Sequence, residues 1–204
     1  MAITTYAELQ TAVANWLNRT DLTSRIPEFI SLGEAYINRK LRTVDQYSVA
    51  TLSASTEYTA LPTDWAESVN LVLVASPEYL LEYVSPQQMA EEKQFRSTSG
   101  KPVYHSIIGR SIQLVPAPDT AYTIRLSYYK LIPALSASAT TNWLLTLHPD
   151  IYMAATLVAA CKYLRDMEGA LMSKEELDEA VAGLQVADSQ AKTTTTPRMR
   201  TRPI

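Results

Sequence analysis

Two histidines, one cysteine and a few adjacent carboxylates are the residues of this 204-residue chain whose types could do chemistry. His105 and His148 stand 43 positions apart. A zinc or non-haem iron site would therefore need carboxylates from distant segments for most of its ligands. Cys161 falls on the apolar side of a helical pattern with no histidine close in sequence, which is the setting of a buried structural thiol. A single cysteine excludes an internal disulfide framework and any multi-cysteine metal site, and fits folding in a reducing, intracellular place. His148 directly precedes Pro149 and reads as a capping group rather than a general base. His105 alternates within a strand pattern and reads as a partly exposed sheet residue. Glu91-Glu92, Glu175-Glu176 and Asp178-Glu179 are adjacent pairs. Neighbours on a helix point about 100° apart, so these are solvated faces and not convergent acid–base pairs. A glycosidase would need two facing carboxylates about 5–10 Å apart, which only the tertiary structure can assemble.

Motifs add nothing catalytic. The chain contains no G-x-S-x-G, C-x-x-C, H-E-x-x-H or G-x-G-x-x-G, and Gly100-Lys101-Pro102 lacks the earlier glycine and the Ser/Thr of a P-loop. Five glycines against eleven prolines argue for stiff connections and against Gly-rich phosphate cradles. The expectation is no catalytic residue, no metal site and no cofactor. With 47% apolar and 19% charged residues the chain is globular rather than disordered. Its apolar helical stretch Ile151 to Cys161 is far short of the roughly 20 residues of a membrane span. Met1-Ala2-Ile3-Thr4-Thr5 has neither the basic region nor the apolar core of a signal peptide.

The elements that must position these residues follow from periodicity. A helix is predicted over Tyr6 to Asn18, opened by the capping-box pair Thr5 and Glu8, with Leu9, Val13, Trp16 and Leu17 on one face. A second runs from about Thr23 to Arg42, with Pro27 in its first turn and Ile26, Phe29, Ile30, Tyr36, Ile37 and Leu41 as its apolar face. The short link Arg19-Thr20-Asp21 makes the two antiparallel neighbours. Gly33 inside the second helix points to a closely approaching neighbour helix. From Tyr47 the period becomes β: Ser48 to Leu52, Glu57 to Leu61, the buried run Val69 to Val74, and Leu81 to Val84. Pro86 to Phe95 is helical, with Ser85 as N-cap. Residues 103–132 read as an antiparallel meander of about three strands, turning at Gly109-Arg110 and at Pro116-Ala117-Pro118-Asp119. In its last strand Tyr122, Ile124, Leu126 and Tyr128 alternate with Thr123, Arg125, Ser127 and Tyr129. A helix opening at Pro149 ends at Gly169, and another, capped by Ser173 and Glu176, runs to about Lys192.

The remaining residues, Thr193, Thr194, Thr195, Thr196, Pro197, Arg198, Met199, Arg200, Thr201, Arg202, Pro203 and Ile204, have neither period. Residues 192–204 carry +4 and no acid, which leaves −7 on the rest of a chain of net charge −3. Such an end is either a solvated tail or an arm that orders on a partner. On an extended backbone Arg198, Arg200 and Arg202 project to one side, where they suit a row of carboxylates or carbonyls. Twelve tyrosines against two phenylalanines suit protein–protein contact. No basic surface accompanies them before the tail, as nucleic-acid stacking would require.

The order of elements resembles the phage head–tail adaptor (connector) proteins that sit between the portal and the tail nozzle of short-tailed phages. The resemblance is carried by Tyr6-Ala7-Glu8-Leu9-Gln10 with Trp16-Leu17-Asn18-Arg19, by Ile30-Ser31-Leu32-Gly33-Glu34-Ala35-Tyr36-Ile37-Asn38-Arg39, and by Ala60-Leu61-Pro62-Thr63-Asp64-Trp65. It continues through Gly109-Arg110-Ser111-Ile112-Gln113-Leu114-Val115-Pro116-Ala117-Pro118, Tyr128-Tyr129-Lys130, Pro133-Ala134-Leu135-Ser136, Asn142-Trp143-Leu144-Leu145 and Pro149-Asp150-Ile151-Tyr152. These stretches span most of residues 6–165. None is a chemical motif; their order and coverage carry the likeness.

The fold class expected is α+β: mainly helical, with antiparallel helices from both ends of the chain, a small antiparallel β meander and an extended C-terminal arm. Residues 1–192 are expected to form a single adaptor domain and 193–204 the arm. The resemblance implies a structural virion protein at the head–tail junction, folded in the host cytoplasm and assembled as a homo-oligomeric, dodecameric ring. Such a ring extends the portal channel, retains packaged DNA and offers a platform to the tail nozzle and tail fibres, with residues 193–204 engaging the portal. Double-stranded DNA would pass an acidic wall without specific binding, because phosphate contacts dominate nucleic-acid affinity. No membrane is involved. An adaptor-associated cell-wall-degrading enzyme is the second reading the resemblance leaves open, and no residue here maps to such a site. A DNA-binding module is a third, which the −7 body opposes.

Overall fold

The computed structural model describes residues 2–192. In chain order its elements are α1 (Tyr6–Leu17), α2 (Ile26–Lys40), β1 (Tyr47–Ala54), β2 (Tyr58–Ala60), β3 (Trp65–Val74), β4 (Tyr79–Leu80), β5 (Glu82–Tyr83), α3 (Pro86–Phe95), β6 (Tyr104–Ile108), β7 (Ser111–Val115), β8 (Tyr122–Lys130), α4 (Trp143–Leu147), α5 (Pro149–Leu164) and α6 (Met167–Lys192). The architecture is α+β. Contacts cluster into two compact units, one from both ends of the chain up to Val44 and from Ile132 onward, the other over Asp45–Leu131.

The helical unit is built round α5. Ile151, Tyr152, Met153, Ala154, Ala155, Thr156, Leu157, Val158, Ala160 and Cys161 are all buried, and a helix apolar on every side has to be enclosed by others. α1, α2, α4 and α6 enclose it, contributing Leu9, Val13, Ile26, Ile30, Ile37, Leu144, Leu177 and Val181 to the shared core. Gly33 explains how α2 gets close: a Cβ there would lie 3.2 Å from the Cβ and carbonyl carbon of Ala155. The expected close helix is thus present, and it is α5. Its backbone is part of the contact, so a side chain at 33 cannot be relieved by a rotamer change alone.

Local signals held at most helix starts. Thr5 Oγ1 accepts from the Glu8 amide at 3.3 Å while Glu8 Oε2 accepts from the Thr4 and Thr5 amides, each at 2.9 Å. These donors hold the Glu8 carboxyl at about 2. Ser85 and Gln88 form a second capping box at α3, with Pro86 in its first turn. The α5–α6 boundary differs from expectation. Gly169 does not end a helix and Ser173 does not start one. Arg165 adopts the left-handed conformation at φ 61° and closes α5. The Asp166 carboxylate then accepts from the Gly169 amide at 3.0 Å. Ser173 lies buried inside the 26-residue α6. An Asp placed three residues before a free amide satisfies the same orphan donor as Ser173 would, seven residues earlier.

The β unit holds two four-stranded sheets, ordered β1-β8-β3-β4 and β2-β7-β6-β5. Leu71, Leu73, Ile124, Leu126 and Tyr128 of the first share one core with Ile112 and Leu114 of the second. The expected alternation along β8 is present, with Ile124, Leu126 and Tyr128 buried. The expected three-strand meander is not. β6 and β7 form the hairpin, in register from Tyr104 opposite Val115 to Ile108 opposite Ser111. β8 instead crosses to the other sheet and lies between β1 and β3. Pro116 and Pro118 withhold ladder donors from the connection, and residues 116–121 are too many for a tight hairpin.

Candidate functional surfaces

The most tightly bonded polar group in the helical unit begins at Glu34. It sits on α2 between Ile30 and Ile37, on the buried stripe, and is only 8% exposed. Its Oε1 accepts from the Leu135 amide at 2.7 Å and from the Tyr152 hydroxyl at 3.3 Å. That hydroxyl accepts from Asn142 Nδ2 at 2.6 Å. Asn142 also donates to the Pro133 carbonyl at 2.8 Å, and its Oδ1 caps α4 through the Leu145 amide at 2.8 Å. Asn38 Oδ1, one turn further along α2, accepts from the Ile132 amide at 2.8 Å. Residues 132–142, which form neither helix nor strand, are thereby tied to α2 and α5, and the Tyr6 amide of α1 donates to the Thr140 carbonyl at 2.7 Å.

Burial pushes the Glu34 carboxyl up, against the bonds from Leu135 and Tyr152. Burial, with the Glu34 charge beside it, pushes the Tyr152 phenol well above its usual range, against the Asn142 bond. A phenol that keeps its proton donates to the carboxylate and transfers nothing. The cluster is structural chemistry. Sequence reasoning missed it, although Glu34 stood on the apolar stripe of α2, four residues after Ile30 and three before Ile37.

The residues singled out from sequence are dispersed. Cys161 is buried, as expected, and burial and the nearby Asp166 push its thiol up and away from the nucleophilic thiolate. His148 occupies the junction of α4 and α5, but its side chain makes no capping bond. His105 is not partly exposed: it is 6% exposed in β6, edge-on to the Tyr83 ring at 5.6 Å, with Nδ1 unpartnered. Asp178 binds Lys40 at 2.6 Å, and Glu92 binds Arg96 at 3.4 Å. Among the described residues no group of three or more His, Cys, Asp or Glu is placed to hold a metal ion. No helix among them is long and apolar enough to cross a membrane.

His105 gives the β unit a pH dependence. Burial pushes its pKa down, with backbone hydrogen bonding at Leu81 and Glu82 working the other way. A base with a depressed folded pKa contributes stability that is complete above the unfolded value of about 6.5 and is lost as pH falls towards the folded value. Glu34, with its raised pKa, contributes in the opposite sense, gaining stability on acidification. The melting temperature of His105→Phe is therefore expected to fall less steeply than that of the parent when pH is lowered through the ordinary histidine range. Parallel slopes in calorimetry would remove His105 from the account.

Of the grooves on the helical unit, two are lined by α5. One, of about 450 Å³, has Phe29, Leu32, Tyr36, Val158 and Tyr163 on its walls and charges of both signs, Glu28, Arg39 and Lys162, at its edge. The other, of about 540 Å³, lies among α1, α5 and α6. Ile3, Trp16, Met153, Ala154, Leu157 and Ala180 line it, and its charged lining residues are all acidic: Asp150, Glu176 and Glu179. Trp16 is 68% exposed at its wall. Tyr47, Tyr58, Tyr83 and Tyr163 are exposed as well. The expected portal-binding residues, Thr193 to Ile204, lie outside the described residues.

An apolar, partly acidic helical surface and exposed tyrosines are what a protein working by contact presents. No curated protein matches the chain. The family model described as SU10 adaptor protein matches residues 4–202 of its 204 residues, nearly the whole chain and both of its compact units. The match covers every stretch that carries the resemblance to phage head–tail adaptors, and the chain belongs to the SU10 adaptor protein family of phage adaptors.

Proposed function

We propose that this adaptor is the subunit of a homo-oligomeric, dodecameric ring at the head–tail junction of the virion. In this reading the ring extends the portal channel, retains the packaged double-stranded DNA and gives the tail nozzle and tail fibres their docking platform. Residues 1–192 form the adaptor body and residues 193–204 its portal-binding arm. The family match over residues 4–202 carries the reading. The net charge of −6 on residues 1–192 supports it, because a net acidic wall holds phosphates weakly and lets DNA move. Exposed Trp16, Leu32, Tyr163, Leu171 and Met172 on the helical unit support it too, since an isolated subunit gains little from leaving them in water.

The test is native mass spectrometry of the purified chain with and without its portal. The chain alone is expected to be monomeric or weakly associated, and closed rings are expected only in the presence of portal. A tight dimer indifferent to portal would overturn the proposal.

A further inference from the structure

We infer that the acidic groove among α1, α5 and α6 holds this chain's own residues 193–204 in the free subunit. The groove's floor is apolar, from Met153, Ala154 and Leu157, and its charged lining residues are Asp150, Glu176 and Glu179. None of these three forms an ion pair among the described residues, whereas Asp178, beside them on α6, is satisfied by Lys40. Three carboxylates left without a cation around an apolar floor select a cationic segment with some apolar character.

The chain's C-terminal residues have that chemistry. Residues 193–204 contain Arg198, Arg200 and Arg202 and no acid. On an extended backbone the three guanidiniums lie on one side together with Ile204. Guanidinium is weakly hydrated, pairs with carboxylates in a fork and stacks on indole, so Trp16 at the groove wall is a fitting neighbour. The mixed-sign groove bordered by Arg39 and Lys162 offers no such match.

Reach also fits. Ala180 lies 12 residues before Lys192 on α6, about 18 Å along the axis, and Glu176 about 24 Å. An extended chain covers about 3.3 Å per residue, so after a reversal through Thr193 to Thr196 Arg198 lies roughly 7 Å back along α6, Arg202 roughly 20 Å and Ile204 roughly 26 Å. That lays Arg202 beside Ala180 and Glu179 and Ile204 at the level of Glu176, with Arg198 and Arg200 on the approach to the groove. Tethering makes even a weak contact populated, because the segment's effective concentration is in the millimolar range.

This inference concerns the subunit before assembly and does not rest on the portal reading. It is tested on the full chain by a nitroxide at Met199→Cys, with Cys161→Ala removing the native thiol. The amide signals of Asp150, Ala154, Glu176 and Glu179 are expected to be broadened selectively and to recover at high salt. They should also recover in Glu176→Lys/Glu179→Lys, and be broadened again when Arg198, Arg200 and Arg202 are changed to Glu in that background. Broadening elsewhere, broadening indifferent to charge reversal, or broadening only between labelled and unlabelled copies would each overturn it. Ring formation on portal is read separately. An arm that never meets the groove in a subunit that still assembles sinks this inference alone. An arm held in the groove of a subunit that never assembles sinks the portal reading alone.

Discussion

Asn142→Ala lowers the stability of the adaptor by about 3–5 kcal/mol, the largest loss expected from a single polar side chain in the described residues. Three bonds are lost together. The N-cap of α4 loses its acceptor for the Leu145 amide, a change of about 1 kcal/mol. The Tyr152 hydroxyl loses the Nδ2 donor in a place where water does not replace it, and the carbonyl of Pro133, an exposed residue, loses the same donor. A buried group so orphaned costs about 1–3 kcal/mol. Tyr152 is 1% exposed, so its hydroxyl has no solvent to turn to. For a chain of this size the melting temperature should fall by roughly 6–15 °C. Tyr152→Phe removes only the donor to Glu34 and one acceptor, and should fall less. If Asn142→Ala melted within a degree or two of the parent, segment 132–142 would be held by its apolar contacts and not by this cluster.

Deleting residues 193–204 is expected to abolish attachment to portal while leaving the folded body almost unchanged. The described core draws on nothing beyond Lys192: Val181 is its last buried apolar residue. Removing residues held by no more than surface ion pairs shifts stability by at most about 1 kcal/mol, a few degrees in melting temperature. Attachment is different, because Arg198, Arg200 and Arg202 put three cations within five residues that contain no acid. Replacing Arg198, Arg200 and Arg202 by Glu should weaken attachment, most visibly at low salt where surface charges are least screened. Co-sedimentation with portal particles reads both variants. Complete rings on portal from the truncated chain would end the portal-arm reading.

Much of the helical architecture was legible before any coordinates. Thr5 with Glu8 and Ser85 with Gln88 are local devices, closed within one turn, so a few residues suffice to specify them. Gly33 announced a close helix because nothing else makes a glycine useful in mid-helix, yet the sequence could not say which helix. Ala155 of α5 is the residue that Gly33 meets. The break between α5 and α6 was misplaced for a related reason. Ser173 and Gly169 are a plausible cap and stop, but Arg165 in the left-handed conformation and Asp166 reached the same hydrogen bonds first.

The sequence by itself determined that the chain is α+β, that helices come from both its ends, that Cys161 is an inert buried thiol, and that its order of elements is that of a phage adaptor. Those properties rest on period, capping and the succession of elements, which are written along the chain. Only the tertiary structure decided that β8 leaves the β6–β7 hairpin to lie between β1 and β3, that His105 is buried, and that Glu34 meets Leu135 and Tyr152 across more than a hundred residues. It alone brought Asp150 of α5 beside Glu176 and Glu179 of α6. Strand partners, the burial of a single polar residue and the gathering of like charges depend on which surfaces meet. That is settled by long-range packing, for which alternation and capping carry no code.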